Sequence, residues 1–196
     1  VGPHFNASGR IDDARSGVQL LVTQDGQTAE RIAAHLQKLN LQRKAIQEEG
    51  LEICHELVNA KHGSDPFLIV ESQDLHEGVI GIIAGRLRDA YYRQTIVMTP
   101  SQEPGVFTGS GRSVDGFHLF EELRPASSLM ERFGGHANAC GLKIRKENIP
   151  MLRNHLFERV LTSEERNPDL LKKKICVVAD LEPEDLTESL LSGIQA

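Results

Sequence analysis

Apolar residues at Ile11, Ala14, Val18 and Leu21 recur at helical spacing and predict a first helix, closed by a turn at Gln24-Asp-Gly-Gln27. From Thr28 to Lys61 the apolar positions Ile32, Leu36, Leu39, Ile46, Ile53 and Leu57 keep close to a heptad, with Arg43 and Gly50 in two of its slots. A stripe of that kind predicts a long helix packed along one side. It ends at His62-Gly-Ser-Asp-Pro66, where glycine and proline stop the helical pattern.

The rhythm then changes to short β-branched runs alternating with helical segments. Phe67–Glu71, Thr95–Thr99, Val106–Arg112 and Ala139–Arg145 read as strands, and Ile175–Leu181 as a last strand candidate. Longer helices are predicted over Gly78–Tyr92 and over Asn148–Leu161, where Ile149, Leu152, Leu156 and Val160 share one face. Phe117–Leu123 and Ser128–Phe133 read as short helices. Alternation of strand and helix implies an α/β domain with a mostly covered sheet. There is no internal repeat and no low-complexity tract.

The 196 residues are 39% hydrophobic and 26% charged, ordinary values for a globular protein that argue against a disordered chain. The longest apolar runs span a few residues, against roughly 20 for a bilayer crossing, and Val1–Phe5 does not resemble a signal peptide. A cytoplasmic protein without membrane contact is expected. Cys54, Cys140 and Cys176 are widely spaced, odd in number and free of C-x-x-C pairing, which predicts reduced, mostly buried thiols. A net charge of −6 argues against a protein that coats nucleic acid with a basic face. The charge is uneven, because Pro66–Lys146 carries nine Lys and Arg against nine Asp and Glu, whereas four basic residues meet eight acidic ones from Thr162 onward. The neutral centre leaves room for a local anion site.

Ten of the seventeen glycines fall between Gly78 and Gly141, in clusters around Gly78-Val-Ile-Gly81, Gly109-Ser-Gly-Arg-Ser113 and Gly134-Gly-His136. Glycine weakens strands and is expected where backbone turns sharply or approaches a ligand closely. In the second cluster freed backbone amides, two serine hydroxyls and the Arg112 guanidinium suit a phosphate. A tight turn with an exposed arginine is the other reading. The segment lacks the G-K-[S/T] of a P-loop and the G-x-S-x-G of a nucleophile elbow. His136, placed before a predicted strand, is suited to donate to a phosphate or a base, or serves the structure. His76 stands ahead of a predicted helix N-terminus, where it lines an anion site or caps the helix. His136 and Cys140 alone do not make a metal site.

His76-Glu-Gly-Val-Ile-Gly-Ile82, Gly109-Ser-Gly-Arg-Ser113 and Phe133-Gly-Gly-His-Ala-Asn-Ala-Cys-Gly141, in this order, resemble the DHH-associated domain of the DHH phosphoesterase superfamily. Gly2-Pro-His-Phe-Asn-Ala-Ser-Gly-Arg-Ile11 is similar to the G-P-x-x-N-A-x-G-R-I segment that closes the catalytic domain of RecJ-type single-stranded-DNA exonucleases. The resemblance covers essentially the whole chain. It implies that residues 1–24 end an upstream DHH domain and that 25–62 form a connecting helix. Residues 63–162 would form the substrate-binding DHH-associated domain, a central mixed sheet flanked by helices. Residues 163–196 would lead toward an OB domain, a likeness carried by Val178-Ala-Asp-Leu-Glu-Pro-Glu-Asp-Leu-Thr187.

Two departures stand out. Cys140 occupies a position where the family more often has alanine, and no Asp-His-His occurs, Asp12-Asp13 being the only adjacent acidic pair near the N-terminus. The resemblance thus implies that manganese or magnesium is held by Asp and His residues outside this chain, which by itself binds no cofactor and is inactive. By the same likeness Gly109, Ser110, Gly111, Arg112, Ser113, Gly134, Gly135 and His136 would hold substrate phosphates, with Asn6, Arg10 and His76 at the edge of the active site. Single-stranded DNA is the expected ligand, weakly bound by these residues alone.

Three other readings compete. A related DHH-family phosphodiesterase acting on short oligonucleotides or cyclic dinucleotides usually carries G-G-G-G-H, whereas Arg132-Phe-Gly-Gly-His136 has two glycines. A hydrolase using Ser110 or Ser113 with His136 lacks an evident carboxylate. A non-catalytic interaction domain would use the helical stripe from Thr28.

Overall fold

The computed structural model describes residues 2–174 and 177–195. The helix predicted from Ile11 to Leu21 is shorter, α2 (Arg15–Val22), and a further helix, α1 (Gly2–Ile11), precedes it where the apolar spacing predicts none. The break falls at Asp12-Asp13-Ala14, where Asp13 Oδ1 accepts the Arg15 amide at 2.9 Å and gives the backbone a turn in place of a helical bond. Val18 and Leu21, taken from the spacing as packed positions, are exposed.

The long helix α3 (Gly26–Leu57) begins at a capped end, since Asp25 Oδ2 accepts the Thr28 N–H at 2.9 Å. It finishes in a wider π turn at Val58–His62. Its buried stripe does not hold the heptad. Ile32, Leu36 and Leu39 pack with Ala7, Phe5 and Leu20, but burial then passes to Asn40, Gln47, Gly50 and Cys54, leaving Ile46, Ile53 and Leu57 only partly covered. A straight helix turns once per 3.6 residues, so a seven-residue repeat drifts about 20° each time, and here the neighbours follow the helix.

The sheet has five strands in the order β1-β2-β3-β5-β4. β1 (Leu68–Glu71) and β2 (Thr95–Pro100) are parallel and joined by α4 (Ile80–Tyr91), the crossover a parallel pair needs. β3 (Val106–Arg112), β5 (Ala139–Arg145) and β4 (Met130–His136) follow antiparallel. One face packs Ile69, Ile96, Met98 and Ile144 under α5 (Leu119–Leu123) and α6 (Ile149–Arg166) through Leu119, Leu152 and Leu156. The other packs Leu68, Val70 and Val97 against Ile83 and Leu87 of α4 and Cys54 of α3. Buried on both sides, β1 and β2 read as continuous apolar runs. The α/β class and mixed sheet agree with expectation.

Two expectations fail. Ser128–Phe133 is not a helix: a short 3-10 turn ends at Leu129 and β4 starts at Met130, so Gly134, Gly135 and His136 close one strand as well as preceding the next, β5. Pairing with β5 overrides the local pattern, and the edge is guarded by charged Glu131 and Arg132 and by a bulge between Met130 and Arg132. Of the strand expected over 175–181, residues 175 and 176 lie outside the described residues. The remainder forms no strand; Val177 and Val178 are exposed, and the chain continues to a short helix, α7 (Glu188–Gln195).

Cys54 and Cys140 are free and buried, and burial pushes each thiol up to about 12 from 9.0. An acid whose folded value lies above its unfolded one favours folding below the unfolded value and loses that contribution as pH rises through the folded one. Stability is therefore expected to fall between pH 9 and about 12, and less in a Cys54→Ala, Cys140→Ala double variant. Urea titrations across that range check it; parallel curves for the two proteins would contradict it.

Candidate functional site

The register of three strands builds a floor. Ser110 of β3 faces Gly141 of β5, which faces Gly134 of β4; two residues along, Arg112, Ala139 and His136 form a second row. Side chains two apart share a face, so both rows point to the side of α3 and α4. Those helices cover β1, β2 and the near side of β3, whereas β5 and β4 stay open: Gly134, Gly141 and His136 are exposed, and a Cβ on either glycine would meet nothing within 4 Å. Arg112 and His136 thus stand on the order of 10 Å apart across a surface of small residues.

Arg112 is the charged feature of this floor. Its Nη1 donates to Ser110 Oγ at 3.1 Å and to the Gly111 carbonyl at 2.7 Å, both on its own strand. The guanidinium lies over the first turn of α4, where a Cβ at Gly81 would come within 3.2 Å of Nη2. Among the described residues it has no carboxylate partner. Its pKa is lowered, first by burial and then by the charges of Arg88 and Arg10, against an opposing effect of Cys140. An arginine keeps its proton regardless. Arg88 is paired with Asp89 at 2.6 Å, so it is the half-buried Arg112, the further cation Arg10 and a helix N-terminus that together favour an oxyanion.

The segment ahead of α4 meets α1 backbone to backbone. Arg10 Nη1 donates to the Gly78 carbonyl at 3.0 Å, and a Cβ at Gly78 would fall 1.9 Å from the Arg10 carbonyl oxygen. Asn6 and Arg10 line two neighbouring clefts, one of about 210 Å³ with Pro3, Ala7, Arg43 and Ile82, the other of about 510 Å³ with Phe5, Gly9, Ala14 and Gly78. His76 Nδ1 accepts the Gly78 N–H at 3.0 Å, a local turn ahead of α4, whose N-cap Val79 receives no side-chain cap.

Ser110, Arg112, Gly134 and His136 are therefore brought together. Gly109, Gly111 and Gly135 face the opposite side, toward Leu142, Cys140 and the β5 backbone. At Gly135 a Cβ would lie 2.3 Å from the Ala139 carbonyl oxygen, so glycine there serves strand pairing. Ser113 is turned away: it is buried, and its hydroxyl donates to the Phe117 carbonyl at 2.7 Å. Neither serine hydroxyl is hydrogen-bonded to His136, so no nucleophile and base pair is assembled. Arg43 and Arg88 were not singled out by motif; only charge within an otherwise apolar helical face marks them. Among the described residues no three His, Cys, Asp or Glu side chains converge to hold a metal ion, and no helix is long and apolar enough to cross a membrane.

A mixed sheet with one half open beside a helix N-terminus, glycine-floored and carrying an arginine that has no carboxylate partner among the described residues, defines a half-open α/β domain. The DHHA1 domain family matches residues 64–162, and the chain belongs to that family. Over most of its length it is similar to the single-stranded-DNA-specific exonuclease RecJ of Bacillus subtilis, at 34% identity over 96% of this chain and 24% of the relative. The RecJ of Escherichia coli strain K12 is 32% identical over 95% of this chain and 33% of the relative. A crystal structure of RecJ from Thermus thermophilus in complex with Mn2+ superposes with a TM-score of 0.79 at 26% identity, covering 98% of this chain and 27% of that one. The chain thus spans about a quarter to a third of the length of these relatives.

Proposed function

We propose that these residues are the substrate-holding part of a metal-dependent single-stranded-DNA exonuclease. The reading rests above all on Arg112, a half-buried guanidinium with no carboxylate partner among the described residues, at the edge of an exposed glycine floor. Arg112 and the front of α4 would bind one side of a strand phosphate, with His136 donating from across the floor. Ser110 would steady the guanidinium, and Asn6 and Arg10 would border the reacting end. Residues 1–24 then close a DHH catalytic part, 25–62 connect, 63–162 hold the strand and 163–196 lead toward an OB domain.

In this reading manganese or magnesium would be held by the upstream DHH catalytic part. The part played here is positioning, in which a displacement of about 1 Å costs on the order of 100-fold. Purified chain with manganese and labelled single-stranded DNA is expected to release no nucleotide. In an NMR titration a 5′-phosphorylated oligothymidylate should shift the amide signals of Arg112, Gly134 and His136. Robust turnover, or shifts confined to other residues, would overturn the reading.

A further inference from the structure

We infer that Arg43 is a further phosphate-binding residue, taking the strand phosphate next to the one at Arg112, with Arg10 between them. The inference rests on the substrate-holding role proposed above and extends it onto the connecting helix. Arg43 Nη1 donates to Gln47 Oε1 at 2.6 Å and Nη2 to Asn40 Oδ1 at 2.7 Å. Asn40 and Gln47 are 5% and 9% exposed, in the middle of a stripe that is otherwise apolar. Burying amides there is costly unless they are hydrogen-bonded, and both oxygens are spent on this one guanidinium. The acceptors are neutral. They immobilise the side chain and leave its charge whole, whereas a carboxylate would cancel it; among the described residues Arg43 has no carboxylate partner.

The charge faces a cleft of about 210 Å³ whose walls are Pro3, Asn6, Ala7, Arg10, Arg43 and Ile82, two cations and no acid. Through Asn6 and Arg10 this cleft adjoins the one that reaches Gly78 in front of α4. Arg10 is also close enough to Arg112 for the two charges to oppose one another. Three arginines from α1, α3 and β3 thus follow one another with Arg10 in the middle. Their shared chemistry is recognition of oxyanions, and a strand supplies these in series. A pre-organised guanidinium loses little further freedom when it binds.

NMR titration of the 196-residue chain with thymidine 5′-monophosphate and with a 5′-phosphorylated thymidine trinucleotide separates the sites. Arg43→Gln should leave the monophosphate Kd within about twofold and raise the trinucleotide Kd about 5- to 10-fold, while Arg112→Gln raises both. Arg43→Lys should recover part of the loss, and in the unmutated chain the Arg43 Nε–H signal should move with the trinucleotide alone. An unchanged trinucleotide Kd in Arg43→Gln, equal loss of both ligands, or an unmoved Nε–H signal would overturn the inference. Should Arg43→Gln not fold, the Nε–H signal decides. Arg112 responding without Arg43 sinks this inference alone; ligands that bind without engaging Arg112 sink the reading beneath it.

Discussion

Arg112→Ala is expected to lower kcat/KM for single-stranded DNA about 10- to 100-fold in a nuclease that joins these residues to a metal-bearing catalytic part. That is the consequence of losing a charge-assisted hydrogen bond to phosphate, roughly 1.5 to 3 kcal/mol. The fold should tolerate the change, because Arg112 bonds only to Ser110 and Gly111 of its own strand and joins no ion pair among the described residues. Its burial and the repulsion of Arg88 and Arg10 both disfavour the charge, and an arriving anion offsets them. Arg112→Lys should recover little, since a compact ammonium cannot reproduce the planar fork. Single-turnover rates beside thermal melts check this; unchanged kcat/KM, or a loss that tracks unfolding, would remove Arg112 from the site.

The elements most legible in the sequence are those whose burial is decided locally. Phe67-Leu-Ile-Val70 and Thr95-Ile-Val-Met98 are apolar on both faces, and between them only a helix fits the spacing. β4 was illegible for a physical reason. Met130 and Phe133 are three apart, which reads as helical, and Glu131, Arg132 and two glycines carry no strand preference. Its pairing comes wholly from β5, through partners such as Gly134 with Gly141, that no local pattern reveals. The same holds at the N-terminus, where the Asp13 side chain breaks a helix that apolar spacing alone would continue.

The site divides along the same line. Residue types predicted a phosphate cradle from Arg112, His136 and the glycines, but which of them share a face depends on register. Alternation puts Ser110 and Arg112 on the open side and turns Gly109 and Gly111 into the core. Ser113, just past β3, follows the chain inward to cap Phe117. Arg43 was invisible as chemistry because it occupies a heptad slot, and only its amide partners and the cleft beside α1 distinguish it from a solvated charge.

Gly78→Ala is expected to separate α1 from the segment ahead of α4. The added methyl would sit 1.9 Å from the Arg10 carbonyl oxygen, 2.8 Å from its carbonyl carbon and 3.2 Å from its Cα. All three are backbone atoms, so no side chain can swing aside and the two segments must part by about 1 Å. Overpacking of this kind costs roughly 1 to 3 kcal/mol, with the bond from Arg10 to the Gly78 carbonyl lost besides. Gly85, inside α4, is the control: nothing lies within 4 Å of its Cβ position, and Gly85→Ala should stabilise by about 0.5 to 1 kcal/mol. Opposite shifts of the urea midpoint are therefore predicted for two alanines seven residues apart. Shifts of the same sign would mean that the contact between α1 and Gly78 does not constrain the protein. If the contact holds, the parting also displaces Asn6 and Arg10 from Arg112, and trinucleotide affinity should fall in Gly78→Ala while Gly85→Ala keeps it. One close backbone contact then sets both the stability of this junction and the alignment of the arginines across it.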